Sequence, residues 1–377
     1  MSEYGKPLYD HLQYCVRCCM PETNEGIVFD ESGICQACQS SEQKIHIDWV
    51  ARGKQLEEIL RSYQASAGNN YDCIVPISGG KDSTFQLHVL TKIYKLKVLA
   101  VTFSHNWFSE VGRKNLENAL EKFDVDHVMF TPNRALVNKL ARESLKHIGD
   151  SCWHCHAGVG AFPLQAAVMY KVPLLVWGES IAESSGRATY ANPVRKFDRE
   201  YFLKVSAKVT ANEMVCDDIS ERDVLPFQLP SVEDLERVGV TGIHLGDFIF
   251  WDDERQTEFV RDEYGWLETD IEGTYKRYKS AECRMPGVHD YTKFLKRGFG
   301  RGTDHASADV RAGLATRAEA FELAKKHDQE RPAALDYYLQ ITGMTEESFL
   351  RTMQEKRHPR LKHLPIIGND DDAAEKK

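Results

Sequence analysis

The sequence predicts an α/β protein: a parallel sheet with helices on both faces, preceded by a small cysteine-rich unit and followed by a mostly helical region. Three observations carry this. Between residues 71 and 250, short apolar runs of strand length alternate with longer amphipathic segments, the pattern of strand–helix–strand crossovers. The run at 71–77 ends in Ser78-Gly79-Gly80-Lys81-Asp82-Ser83, followed by a helical segment at 84–95. Ahead of it stand two C-x-x-C pairs, Cys15/Cys18 and Cys35/Cys38.

Taken in order, residues 1–46 read as a ribbon. Sixteen residues separate the two pairs, with Pro21, Gly26, Gly33 and an expected strand at 27–29 between them. Each knuckle sets two thiolates on one side of a tight turn, and together they supply a closed four-sulfur site for structural Zn2+. Cys19 reads as a bystander. Residues 47–63 form an amphipathic helix through Trp49, Leu56, Ile59 and Leu60, and the small polar stretch 64–70 suits a linker. Strands are then expected at 98–103, 127–130, 174–177 and 242–251, and helices at 115–123, 136–147 and 161–170.

Beyond 251 the chain is mostly helical to 368. Ser231 caps a short helix, Thr316-Arg317-Ala318-Glu319 is a capping box, and helices are expected at 332–341 and 345–354. The tail at 369–377 is expected to be disordered. No internal repeat is evident.

The loop at 78–83 carries the chemistry. Two adjacent glycines let the backbone approach an anion, and the first N–H groups of the following helix point at it. Lys81 adds charge, and Ser78 and Ser83 add hydroxyl donors. Asp82 would repel bare phosphate, so its role is to hold Mg2+ or to fix the loop. The spacing matches neither the P-loop of kinases nor the dinucleotide fingerprint. Ligands in such sheets lie at the carboxyl ends of the strands, where Ser104-His105 and Gly178-Glu179-Ser180 also fall.

Composition sets the outer bounds. The 377 residues are 42% hydrophobic and 28% charged, as in globular proteins. No apolar run approaches the ~20 residues of a membrane span, and no signal-peptide core opens the chain, so a cytoplasmic enzyme is expected. The net charge of −9 argues against a broad nucleic-acid surface. The ten cysteines do not read as a disulfide framework.

Two segments stay open. Cys152-Trp153-His154-Cys155-His156 could bind a metal or iron–sulfur cluster, with Cys216 or Cys283 as a third ligand, or be two half-buried thiols beside a helix. Residues 287–311 carry Lys293, Lys296, Arg297, Arg301 and Arg311 among Gly298, Gly300 and Gly302, which reads as a basic loop for an anion or as a solvated face.

The string Ser78 to Ser83 resembles the PP-loop of the ATP pyrophosphatase superfamily, with its HUP-like α/β domain, here at 71–250. With Tyr14-Cys15-Val16-Arg17-Cys18-Cys19-Met20-Pro21, Gly33-Ile34-Cys35-Gln36-Ala37-Cys38 and His289-Asp290-Tyr291-Thr292-Lys293-Phe294-Leu295-Lys296, nearly the whole chain resembles the N-acetyl sugar amidotransferases of WbpG and PseA type, from lipopolysaccharide O-antigen synthesis. The resemblance implies that ATP adenylylates the oxygen of an acetamido group on a nucleotide-linked sugar. Ammonia then displaces AMP to leave an acetamidino group.

It further implies a HisH-like glutaminase and a HisF-like subunit as ammonia source, since no glutaminase signature is evident here. On this reading Ser78, Gly79, Gly80, Lys81, Asp82, Ser83, Ser104 and Gly178 bind ATP and Mg2+. Lys81, Asp82 and Glu179 are catalytic, Glu179 holding metal or deprotonating ammonium unless it only caps its loop. Ser180, His289, Lys293, Lys296 and Arg301 are candidates for the sugar nucleotide. The rival readings are a PP-loop tRNA thiolase using Cys152 and Cys155, and a ribbon binding module on a degenerate scaffold.

Overall fold

The structure, a computed structural model, describes residues 4–184, 189–191 and 199–366. The tail expected at 369–377 lies outside the described residues. Five strands form one parallel sheet: β1 (Cys73–Pro76), β2 (Val98–Phe103), β3 (Asp126–Phe130), β4 (Leu174–Trp177) and β5 (Thr241–His244). Their order is β3-β2-β1-β4-β5. The chain runs outwards from β1 through β2 to β3, then returns to lay β4 on the other side of β1. A crevice opens at the carboxyl ends of the strands at such a reversal.

The helices are α1 (Gln36–Lys44), α2 (Trp49–Ala67), α3 (Lys81–Leu87), α4 (Glu110–Phe123), α5 (Arg134–Ile148), α6 (Trp153–Tyr170), α7 (Ile181–Ser184), α8 (Arg199–Phe202), α9 (Val232–Val238), α10 (Asp253–Tyr264), α11 (Pro286–Arg297), α12 (Arg301–Arg311), α13 (Arg317–Asp328), α14 (Ala334–Thr342) and α15 (Glu346–Glu355). Both faces of the sheet are covered. Cys73, Val75, Val98, Ala100, Leu174 and Val176 pack with Leu56 and Leu60 of α2, Leu87 of α3 and Leu116 of α4. The alternate residues Ile74, Leu99, Val101, Phe103 and Leu175 pack with Leu140 of α5 and with Trp153 and Leu164 of α6. Burial on both sides is why these strands read as continuous apolar runs.

Several expected elements shift, each for a local reason. The strand at 27–29 reduces to a single bridge, Phe29 to Cys35. The Asp30 carboxylate accepts the Ser32 and Ile34 N–H groups, both at 2.9 Å, and turns the chain before a ladder can form. The linker at 64–70 is helical as far as Ala67, because Gly68 at φ 61° is the first residue to end α2. The strand at 242–251 stops at His244 and passes into a tight turn at Leu245–Asp247.

α6 starts at Trp153 rather than 161. It is apolar all round and Gly158 meets β2 so closely that a Cβ there would lie 2.1 Å from the Phe103 ring. The basic loop expected at 287–311 is two helices, α11 and α12. Pro286 opens the first and Gly298, at φ 76°, ends it. The Ser231 cap and the Thr316/Glu319 capping box form as expected.

Candidate active site

The loop leaving β1 is held tightly. Gly79 has φ 81°, and a Cβ there would lie 2.7 Å from Gly112 O and 2.8 Å from Leu116 N of α4. Only glycine meets both demands. Trp266 Nε1 donates to Gly79 O at 3.0 Å. Ser83 and Thr84 hydroxyls each donate to Gly80 O at 3.0 Å, and Ser78 Oγ accepts from Gly80 N at 3.3 Å. Gly80 is the N-cap of α3, which continues without a break into a helical turn at His88–Ile93.

Lys81 is 1% exposed and lies between two carboxylates, 2.5 Å from Asp82 Oδ1 and 2.7 Å from Asp253 Oδ1. Lys279 Nζ is 2.5 Å from the other oxygen, Asp253 Oδ2. Burial opposes the Asp253 charge, but Lys81 and Lys279 together hold its carboxyl well below the ordinary value. Burial also opposes the Lys279 charge, and Glu179, Asp253 and Asp82 more than offset this. Glu179 is pushed up to about 7, first by burial; Lys279 pulls it down, while Asp253 and Asp82 push it up. Glu282 is raised by burial, and its Oε2 would sit 3.5 Å from a Cβ on Gly80. Amines and carboxylates thus alternate along the crevice.

Of the expected residues, Lys81, Asp82 and Glu179 come together there. Asp253, Lys279 and Glu282, which no sequence motif marks, join them. At Gly178 a Cβ would lie 2.4 Å from Gln86 Nε2 and 3.1 Å from the Trp251 ring, so a side chain there would displace the Gln86 amide. Ser104, at the end of β2, accepts the Asn106 N–H at 3.3 Å and so shapes a turn. Ser180 Oγ donates to Asp247 Oδ1 at 2.5 Å, tying the exit of β4 to the turn after β5.

The candidates for the sugar nucleotide separate. Arg301 pairs with Asp290 and donates to Ser280 Oγ at 2.5 Å, on the side of Lys279. His289, Lys293 and Lys296 instead line a cavity of about 330 Å³ with His156, Lys208 and Arg297. There the buried Asp150 carboxylate lies 3.5 Å from both His156 Nδ1 and His289 Nδ1.

The ribbon cysteines Cys15, Cys18, Cys35 and Cys38 are all buried, and their sulfurs lie within 4.8 Å of one another. Cys15–Cys38 and Cys18–Cys35 are both 3.8 Å apart. A tetrahedron with Zn–S bonds of about 2.3 Å has edges of about 3.8 Å, so the four thiols fit zinc. Among the described residues this is the one Cys/His/Asp/Glu group spaced to hold an ion in this way.

Cys152 and Cys155 stand at the start of α6, and Cys283 shares their surroundings, 3.8 Å from His105 Nδ1. Cys216 is exposed and elsewhere. Burial raises all three clustered thiols, Cys283 to about 12, which keeps them neutral and poorly nucleophilic. No cysteine is in a disulfide. Among the described residues, no helix is long and apolar enough to cross a membrane.

Residues 272–364 match the family model of the LPS biosynthesis protein WbpG-like, C-terminal domain. That span contains Lys279, Glu282, α11 and α12. The uncharacterized protein MJ1599 of Methanocaldococcus jannaschii is 28% identical over 134 residues, 36% of this chain. The match covers 47% of that relative, so the chain spans about half its length. The structure of NMN synthetase from Francisella tularensis aligns with 60% of this chain and 98% of its own at 11% identity. The TM-score is 0.24, too loose a likeness to bear on function.

Proposed function

We propose that the protein is an ATP-dependent, AMP-forming amidotransferase that turns an acetamido group of a nucleotide-linked sugar into an acetamidino group. The substrate is a UDP-diacetamido-uronic acid on the way to lipopolysaccharide O-antigen. One observation carries the reading: Lys279 and Glu282, from the span that matches the WbpG-like domain, converge on a PP-loop-like turn at Lys81 and Asp82.

An amide oxygen is a poor leaving group. Transfer of AMP from ATP to that oxygen breaks the bond between the α and β phosphates and releases pyrophosphate. Ammonia then attacks the imidate carbon, loses a proton, and AMP departs with the oxygen. Ser78, Gly79, Gly80, Lys81 and Ser83 bind the departing phosphates through N–H, hydroxyl and amine donors aimed where charge accumulates. Asp82 and Asp253 are the carboxylates that would hold Mg2+, whose contribution is to offset that charge. Glu179, titrating near 7, takes the proton from ammonium beside the acetamido group. Ammonia comes from a partner HisH-like glutaminase with a HisF-like subunit.

The test is incubation with ATP, Mg2+, ammonium and the UDP-diacetamido-uronic acid. AMP and a product lighter by about one mass unit, as O is replaced by NH, are expected. AMP formed only with tRNA and a sulfur donor, and lost when Cys152 and Cys155 are both changed to alanine, would replace this reading with a thiolase.

A further inference from the structure

Lys208 holds a backbone conformation that lysine seldom takes. Its φ is 64°, at the end of the helical turn Leu203–Ala207, and its N–H donates to Leu203 O at 2.7 Å. Glycine adopts this region freely and other residues are strained there. The fold therefore tolerates strain at the one position that sends this amine into the cavity with Lys293, Lys296, His156 and His289.

Cations outnumber carboxylates on the cavity wall: Lys208, Lys293, Lys296 and Arg297 line it with Glu25 and Asp150, while Lys293 also pairs with Asp304 and Lys296 Nζ donates to Ile148 O at 2.9 Å. Glu25 Oε2 lies 3.4 Å from Lys208 Nζ, and Glu25 also pairs with Arg297. Asp150 is turned away from the amines. It accepts the Cys152 N–H at 2.8 Å and lies against the two imidazoles. Burial and the nearby Lys208 lower Lys296 to about 8, so like charges crowd one concave wall. Such a concavity favours a multiply charged anion.

A second pocket of about 110 Å³ shares His156 and Ser206 with the cavity, and Trp153, Phe202 and Phe227 line it. An anion site beside an aromatic-lined pocket matches one ligand class, a nucleoside diphosphate. None of residues 78–83 lines either space. Ile181, two residues beyond Glu179, does line the cavity, so the exit of β4 borders both sites.

We propose that the cavity and its adjoining pocket bind the nucleoside diphosphate part of the substrate. The phosphates lie among Lys208, Lys293, Lys296, His156 and His289, and the base lies against Trp153 and Phe227. The sugar then extends past the exit of β4 towards Glu179. This rests on the reading of the substrate as a nucleotide-linked sugar.

Calorimetric titration of the full chain with UDP, inorganic pyrophosphate and ATP tests it. Lys208→Gly removes the amine and relieves the backbone, so it should not lower the melting temperature. Lys208→Gly and His289→Gln should each weaken UDP by about tenfold or more, as loss of a charge-assisted contact implies, with ATP changed by less than about twofold. Pyrophosphate should bind more weakly than UDP. UDP affinity untouched by both variants, UDP binding abolished by Lys81→Ala, or no UDP binding to the wild type would overturn the site. UDP binding that depends on Lys208, in a protein that never acts on an acetamido sugar, would sustain the site and remove the proposed reaction.

Discussion

The Lys81 amine lies 2.7 Å from the Asp253 carboxylate, 172 residues further along the chain. The cation of the phosphate loop is therefore set in place by the first residue of α10, and the second oxygen of the same carboxylate holds Lys279 at 2.5 Å. Asp253→Asn would leave Lys81 paired with Asp82 alone and Lys279 without its contacting carboxylate, offset only by Glu179 and Asp82 nearby. A broken buried pair costs about 3 kcal/mol, and misplacing Lys81 should slow AMP formation roughly hundredfold. Urea unfolding and AMP release measure the two separately. Wild-type values for both would show that Asp253 does not position Lys81.

Gly112→Ala tests the same convergence without touching the charged groups. A Cβ on Gly112 would lie 2.4 Å from Glu282 Cα and 2.5 Å from Glu282 O. The segment that carries Lys279 and Glu282 is pinned there by Ser109, whose N–H donates to Glu282 O at 2.9 Å and whose hydroxyl donates to Ala281 O at 2.5 Å. The added methyl should force that segment off α4, with a stability loss of about 1–3 kcal/mol and a fall in kcat. Gly53→Ala in α2 is the control: nothing lies within 4 Å of its Cβ. It should be neutral or stabilising by up to about 1 kcal/mol. Equal activity in the two variants would separate residues 279–282 from the chemistry.

Much of this arrangement was readable from residues alone, and the unreadable parts share a cause. β2 and β4 fall where their apolar runs lie, because strands buried on both faces leave an unbroken signal. The start of α6 is hidden because a helix apolar all round has no polar side to mark its period. Asp253, Lys279 and Glu282 carry no motif. They lie at a helix start and in the irregular stretch before α11, and only the fold brings them to Lys81. The lysines of 287–311 read as one cluster, but helical geometry sends Arg301 to Asp290 and Lys293 with Lys296 to the cavity. Nothing in a sequence marks a lysine as having positive φ, so Lys208 does not stand out before the fold is seen.

Glu179 gives the site a pH dependence with a definite sign. Its carboxyl is raised from the ordinary 4.5 to about 7. If it accepts the proton from ammonium, activity should rise as pH passes through about 7, and Glu179→Gln should flatten that rise. Stability runs the other way. The folded state holds this proton more tightly than the unfolded chain, so the contribution is full below about 4.5 and lost as pH rises through about 7. Asp247 and Asp328, both raised to about 6 chiefly by burial, act in the same direction. The informative quantity is therefore the difference between wild type and Glu179→Gln in urea unfolding across pH 4 to 8, on the order of the window these values span. A difference that does not change with pH would show that Glu179 is an ordinary surface carboxylate.

The ribbon is tied to the rest of the molecule by backbone contacts that depend on its shape. Arg317 Nε of α13 donates to Cys15 O and Cys18 O, both at 3.0 Å, and Thr23 Oγ1 donates to Arg297 O at 2.6 Å. Cys19, outside the four-sulfur group, lies 3.2 Å from Ser307 Oγ of α12. A metal that fixes both knuckles therefore also fixes the face on which α11, α12 and α13 rest. Metal analysis should find one zinc per chain, and Cys35→Ser should lose it, because three thiolates leave the site open. The variant should melt at lower temperature and be cut more readily by protease between the knuckles. ATP binding should persist, since Lys81, Asp82, Asp253 and Lys279 take their charge partners from outside the ribbon. UDP binding should weaken, because Glu25 reaches from the ribbon to Lys208 and Arg297. Unchanged zinc content in Cys35→Ser would remove the metal from the ribbon.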